Sequence, residues 1–192
     1  MRTPEGYRKR LTHHDCPGCA HYLTFSCFRN QRFLKSERAC QWLADSIRTA
    51  KEKHPFDLWA WVFMPDHVHL LLRPANAEAI SKILSAIKVP VSKRAAAWIR
   101  RKAPQFMPHM ADVQPDGTQV LRFWQRGGGY DRDLWSPKEI REKIGYIHNN
   151  PVRRRLIASP SAWPWSSSHA WETGEDAPLP IDRTTVPPLN VL

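Results

Sequence analysis

Residues 56–73 read FDLWAWVFMPDHVHLLLR, two apolar runs joined only by Pro65-Asp66. A Pro-Asp pair between two β-prone runs suits a tight turn, so the stretch predicts a central antiparallel β-hairpin. In the second arm His67 and His69 are two residues apart. On a strand they project from one face, about 6.6 Å apart along the chain, while Val68, Leu70 and Leu72 point to the other. One face packs and the other presents two imidazoles. In the first arm Trp59 and Trp61 are likewise expected to share a face, inside the core.

Reading outward, residues 21–27 (HYLTFSC) carry aromatic and hydroxyl side chains in partial alternation and predict a first strand. Ser36 caps a helix expected to reach about Lys53, with Ala39, Leu43, Ile47 and Ala50 on its apolar face. A second helix is expected from Ala77 to about Lys102, kinked or broken at Pro90. Its polar side is basic and includes Lys93, Arg94, Arg100 and Arg101. Residues 103–119 lack periodicity and are expected to be a loop; Val120 to Gln125 is expected to be the last strand. Ser136-Pro137-Lys138-Glu139 combines a capping Ser, Pro at the first helical position and Glu three residues after the cap. That helix is expected to run to about Asn149, where Pro151 stops it. The order is strand, helix, hairpin, helix, strand, helix: a single α+β domain. Its expected limits are an N-terminal segment 1–19, a domain 20–171, and a Pro-rich, loosely held tail 172–192.

The chain has 192 residues, with 29 Lys+Arg against 18 Asp+Glu and a formal net charge of +11. So basic a surface favours a polyanionic partner, nucleic acid or an anionic membrane face. No apolar run approaches the roughly 20 residues of a membrane span, and residues 1–10 lack the apolar stretch of a secretion signal. A soluble, cytoplasmic protein with no membrane partner is therefore expected. Four cysteines at uneven spacing do not suggest a disulfide framework. Cys16 and Cys19, with His13, His14 and His21 nearby, form half of a zinc-ligand pattern whose second half is missing. Ordinary thiols near a strand start account for them better.

The chemistry rests on few residues. Two neutral imidazoles aimed at one point can bind a divalent metal, yet core or surface histidines fit an H-x-H triplet as well. In the last helix Ile140, Ile144 and Ile147 form a buried stripe, while Tyr146 and Asn150, four apart, share a neighbouring face. A phenol and an amide oxygen can thus reach one site; a core-edge tyrosine and a helix-terminal Asn are the plainer alternative. Arg126 beside a Gly-rich turn and Arg153-Arg154-Arg155 after the last helix suit phosphate contacts, or a solvated basic surface.

Four motifs occur in order: Met64-Pro-Asp-His-Val-His-Leu-Leu, Phe123-Trp-Gln-Arg-Gly, Tyr146-Ile-His-Asn-Asn-Pro-Val and Trp163-Pro-Trp-Ser-Ser. Over about residues 20–170 the chain resembles the REP-associated tyrosine transposases, a branch of the HUH single-tyrosine transposases. The resemblance implies a ferredoxin-like antiparallel sheet packed by helices. It implies Mg²⁺ or Mn²⁺ held by His67, His69 and Asn150, and Tyr146 as the nucleophile that leaves a 5′-phosphotyrosine. The implied partner is single-stranded or hairpin DNA of REP-like repeats, bound by a monomer or a homodimer; a related reading is a domesticated hairpin-binding protein that cleaves little or not at all. Two stretches depart from the family pattern. Arg154-Arg155 stands where relatives commonly carry a small residue and Gly, and Gly129-Tyr130-Asp131-Arg132 replaces a Tyr-Asp-His ending.

Overall fold

The structure, a computed structural model, describes residues 18–76, 79–175 and 178–188. Strand β1 (Ala20–Ser26) leads through two short 3-10 turns into helix α1 (Glu37–Lys53). The hairpin β2 (Phe56–Phe63) and β3 (His67–Pro74) follows, then helix α2 (Ile80–Lys102). A short helix α3 (Met107–Met110) precedes a two-stranded ribbon of β4 (Ala111–Val113) and β5 (Gln119–Leu121). Strand β6 (Tyr130–Leu134), helix α4 (Pro137–His148), the single turn α5 (Asn150–Arg153) and helix α6 (Ser168–Thr173) complete the order.

The main sheet runs β2-β3-β1-β6 and every neighbouring pair is antiparallel, which is the ferredoxin-like arrangement. Its two faces bury separate cores. Leu23, Phe25, Leu58, Trp61, Val68, Leu70 and Leu72 pack with Leu43 and Ile47 of α1 and Ile83 and Ile87 of α2. On the opposite face Tyr22, Trp59, Val62 and Leu71 pack against Ile140, Ile144 and Ile147 of α4. The expected alternation of β3 therefore holds: Val68, Leu70 and Leu72 face α1 and α2, and His67 and His69 face the α4 side.

Several expectations need correction, the loop at 103–119 among them, since that stretch holds α3 and β4. Trp59 and Trp61 are both buried but lie in opposite cores. A bulge between Leu58 and Ala60 inserts Trp59 as an extra residue and reverses the alternation on one side of it. The fourth strand of the sheet is Tyr130–Leu134, not residues 120–125. Its sequence, YDRDL, hides it: as an edge strand it needs no continuous apolar face, and charge at an edge discourages unwanted pairing. Helix α2 continues through Pro90 instead of breaking. Pro90 has no N–H for the carbonyl one turn earlier, and the Ser46 hydroxyl of α1 supplies a donor there, 3.3 Å from the Ala86 oxygen and 2.7 Å from that of Ile87. Helix α4 ends at His148 with Asn149 as its cap, as expected, and α5 adds a separate turn that contains Pro151.

The 136–139 signature forms as read. Ser136 accepts from the Glu139 N–H while the Glu139 carboxylate accepts from the Ser136 N–H. The Pro-rich tail is not loose over residues 178–188. The Asp182 carboxylate accepts from Lys51 Nζ and from the Leu58 N–H at 2.7 Å, and the Asp182 N–H donates to the Leu58 carbonyl at 2.8 Å. The Trp59 and Trp61 indoles donate to Thr185 and the Leu179 carbonyl. These contacts satisfy and cover the outer edge of β2, the liability of any edge strand.

Candidate metal and nucleophile site

At the end of the sheet where β1 finishes and β3 begins, a cavity of about 620 Å³ opens on the α4 side. His67, His69, Tyr146 and Asn150 all line it, so the four residues singled out in the sequence converge from one strand and one helix terminus. The Nε2 atoms of His67 and His69 face each other at 3.1 Å. Adjacent nitrogens bound to one octahedral cation at about 2.0–2.2 Å would sit about 3 Å apart. Two Nε2 lone pairs at that distance repel unless a proton or a cation lies between them.

The outer nitrogens are tethered. His67 Nδ1 donates to the Asp66 carboxylate at 2.7 Å, which directs its Nε2 lone pair into the cavity. Around His69 Nδ1, the Tyr22 and Thr24 hydroxyl oxygens each lie at 2.8 Å. With Nδ1–H donating to them, His69 presents the same tautomer. Burial, and then the neighbouring His67, hold the His69 imidazole down to about 3, an effect that a hydrogen bond with Asn150 opposes. It is thus neutral near pH 7, as a metal ligand must be. The Asn150 amide nitrogen donates to the Tyr146 carbonyl at 3.0 Å, which fixes the side chain at the cavity wall.

Tyr146 is 36 % exposed, the most accessible of the four. Its ring lies 5.9 Å from that of His69 and packs edge-on to Tyr22. Lys143 Nζ and the Arg153 guanidinium each stand 4.9 Å from its centre. Burial, then Arg132, shifts the Lys143 amine downward. Arg153 and Arg154 line the cavity, and Arg155 follows in a left-handed conformation (φ 55°), exposed. Cations gathered at an open polar cavity attract a phosphodiester and offset charge on a phenolate oxygen.

The other basic residues read from the sequence lie elsewhere. Arg126 pairs with Asp112 at 2.9 Å in the β4–β5 region. Lys93, Arg94, Arg100 and Arg101 are exposed on α2, across the sheet from the cavity, and Arg94 is 3.6 Å from Asp45. His148 is buried and shares a hydrogen with the Ser167 hydroxyl at 2.9 Å, a structural placement. Of the N-terminal histidine and cysteine group, Cys16, His13 and His14 lie outside the described residues. Cys19, Cys27 and Cys40 are buried and form no disulfide. Sequence reading missed Tyr22, Thr24 and Lys143. Thr24 is opposite His69 only through the β1–β3 register, which no local pattern discloses.

A second donor group lies on the α1/α2 side of the sheet. His21 Nδ1 is 3.1 Å from Asp131 and 3.2 Å from Asp133, and donor atoms of the three residues all fall within 4.8 Å. They could hold a metal; a His21 Nδ1–H shared between the two carboxylates satisfies the same geometry.

The family described as transposase IS200-like matches residues 18–112. A protein of Haemophilus influenzae assigned as a REP-associated tyrosine transposase is 27% identical over 119 residues, 62% of each chain. The REP-associated tyrosine transposase of Escherichia coli K12 is 26% identical over 142 residues, 73% of this chain and 72% of that one. The chain thus matches somewhat under two thirds of the first relative's length. A solved REP-associated tyrosine transposase bound to a REP hairpin shares the fold, with a TM-score of 0.65 at 20% identity, covering 96% of this chain and 98% of that one. With its sheet order, its paired histidines and its helix-borne tyrosine, the chain is similar to the IS200-like transposases, and the relatives it matches are REP-associated tyrosine transposases.

Proposed function

We propose that the protein cuts and rejoins single-stranded DNA beside a hairpin, with Tyr146 as nucleophile. The observation that carries this reading is the convergence of His67, His69, Asn150 and Tyr146 on one open, polar, cation-rimmed cavity. The tyrosine oxygen attacks a backbone phosphorus, forming a Tyr–O–P bond as the bond from phosphorus to the 3′ oxygen breaks. The phenol proton leaves and the departing 3′ oxygen gains one. A free 3′-OH later attacks the same phosphorus and releases the tyrosine. The linkage keeps the energy of the broken bond, so rejoining needs no nucleotide cofactor.

His67, His69 and Asn150 would hold Mg²⁺ or Mn²⁺, which when bound neutralises charge on a non-bridging phosphate oxygen and orients the phosphate. Asp66 accepts from His67 Nδ1–H, and the Tyr22 and Thr24 hydroxyls can accept from Nδ1–H of His69, which would leave both Nε2 lone pairs free for the metal. Lys143 and Arg153 flank the attacking ring, and Arg153, Arg154 and Arg155 hold the backbone on either side. The hairpin-bound relative supports hairpin DNA, of REP-like repeats, as the substrate class. All four site residues come from one chain, so a homodimer is not needed to complete the constellation. Among the described residues no helix is long and apolar enough to cross a membrane; a protein that cuts DNA around its own gene would act in the cytoplasm.

The test is incubation of the protein with labelled hairpin DNA from around its own gene, with Mn²⁺ or Mg²⁺, on a denaturing gel. A metal-dependent covalent band that Tyr146→Phe abolishes is expected. The same band at normal yield from Tyr146→Phe would refute the nucleophile. Tight binding without any adduct would instead favour a hairpin-binding protein.

A further inference from the structure

A second cavity, about 490 Å³, lies on the α1/α2 side of the sheet, between the start of α1 and the end of α2. Its volume falls in the range of roughly 300–1,000 Å³ typical of small-molecule sites. Its walls are aromatic: Trp42 and Trp98 are half-buried, and Phe106 is 39 % exposed. Its rim is cationic, with Arg32, Lys35 and Arg38 all exposed and the Arg38 guanidinium 4.5 Å over the Trp98 ring. No Asp or Glu lines it among the described residues. Apolar ring faces under an exclusively positive rim match an unpaired nucleobase, a flat π-surface tethered to phosphates, better than a neutral apolar ligand or an acidic side chain without a ring.

Position strengthens the match. The segment Phe28–Lys35 separates this cavity from the one that holds Tyr146: Arg32 lines the aromatic cavity and Asn30 the tyrosine cavity. Two residues span at most about 7 Å. Arg29 and Asn30 both take the left-handed conformation, with φ of 53° and 54°, which turns this ridge sharply around the end of the sheet. A DNA strand that crossed this ridge from the tyrosine cavity would reach the aromatic cavity. Arg100 and Arg101 are exposed at the end of α2, adjacent in sequence to Ile99 of the cavity wall.

We propose that this aromatic cavity is a base-binding subsite: it takes one unpaired base of the single-stranded extension flanking the hairpin and so sets which extension is presented to Tyr146. The proposal rests on the DNA-cleaving reading above and names a specificity site for it.

The test measures dissociation constants without metal, at fixed salt, for a blunt hairpin and for the same hairpin with a single-stranded extension, using wild type, Phe106→Ala and Arg38→Ala. Stacking on one ring predicts a loss of at least about fivefold for Phe106→Ala on the extended DNA, with the blunt hairpin unaffected. One abasic position in the extension should reproduce that loss in wild type and add nothing in Phe106→Ala. Equal losses on both DNAs, no loss, or a loss that no abasic position reproduces would overturn the subsite. A change in sedimentation of Phe106→Ala with unchanged DNA binding would also overturn it and assign the cavity to a second copy of the chain. Wild type that binds neither DNA refutes the underlying reading; wild type that binds and forms the Tyr146 adduct, with indifferent variants, refutes only the subsite.

Discussion

Replacing Gly129 by alanine tests how the sheet holds the paired histidines. Gly129 has φ of +90°, and a Cβ built on it would fall about 1 Å inside contact with the Thr24 carbonyl oxygen and 3.1 Å from Phe25 Cβ. Thr24 is the residue whose hydroxyl lies 2.8 Å from His69 Nδ1. Gly127 provides the control: its φ is also +90°, but an added Cβ would meet nothing within 4 Å. Alanine at either position costs about 1–2 kcal/mol for the left-handed backbone. Only at 129 must backbone also move backbone, an overlap worth about 1–3 kcal/mol more. The two variants should therefore differ by about 2 kcal/mol, or about 4–8 °C in Tm for a chain of this size. Gly129→Ala should also weaken Mn²⁺ binding, because displacing Thr24 frees the His69 ring, whereas Gly127→Ala should not. Thermal unfolding followed by circular dichroism, with calorimetric Mn²⁺ titration, reads both effects. Equal Tm values and equal Mn²⁺ affinities would refute the idea that β6 clamps the site through Thr24.

Other perturbations reach other parts of the fold. Asp66→Asn removes the acceptor that orients His67 and should weaken Mn²⁺ binding about 10- to 100-fold in a titration; unchanged affinity would sink the tethering argument. Asp182→Ala leaves the Leu58 N–H at the sheet edge without its carboxylate, at a cost of about 1–3 kcal/mol, and trypsin should then cut after Arg183 roughly tenfold faster than in wild type. Burial pushes the Cys27 and Cys40 thiols up to about 12, from 9.0 in the unfolded chain. Between those pH values the unfolded state releases protons that the folded state keeps, so stability falls as pH rises, by about 1.4 kcal/mol per pH unit per thiol. Urea unfolding at pH 8.5 and 10.5 should show this loss, and Cys40→Ala should remove part of it; an identical pH dependence in the variant would refute the assignment.

Residues that act within one element were legible from the sequence. The period of two in His67-Val-His-Leu-Leu-Leu put both imidazoles on one face, and the structure keeps them there, because alternation is a property of any strand. Ser136-Pro-Lys-Glu marked its helix start for a similar reason: a capping box closes within four residues. The Ile140, Ile144 and Ile147 stripe followed from helical spacing alone.

Whatever depends on distant pairing was decided by the tertiary structure. Tyr130–Leu134 is a strand because β1 offers it an edge, not because YDRDL favours one. The bulge at Trp59 separates two tryptophans that spacing would place together, sending one indole to each side of the sheet. The tail at 178–188 is fixed by an edge of β2 that it has to satisfy. Residue types nominated Tyr146, Asn150, His67 and His69 singly and the ordered motifs nominated them together. Their meeting at one cavity, and the tethering of His69 by Tyr22 and Thr24, required the β1–β3 register and the packing of α4 across the sheet. Local sequence encodes which way a side chain points; only the folded chain determines what it points at.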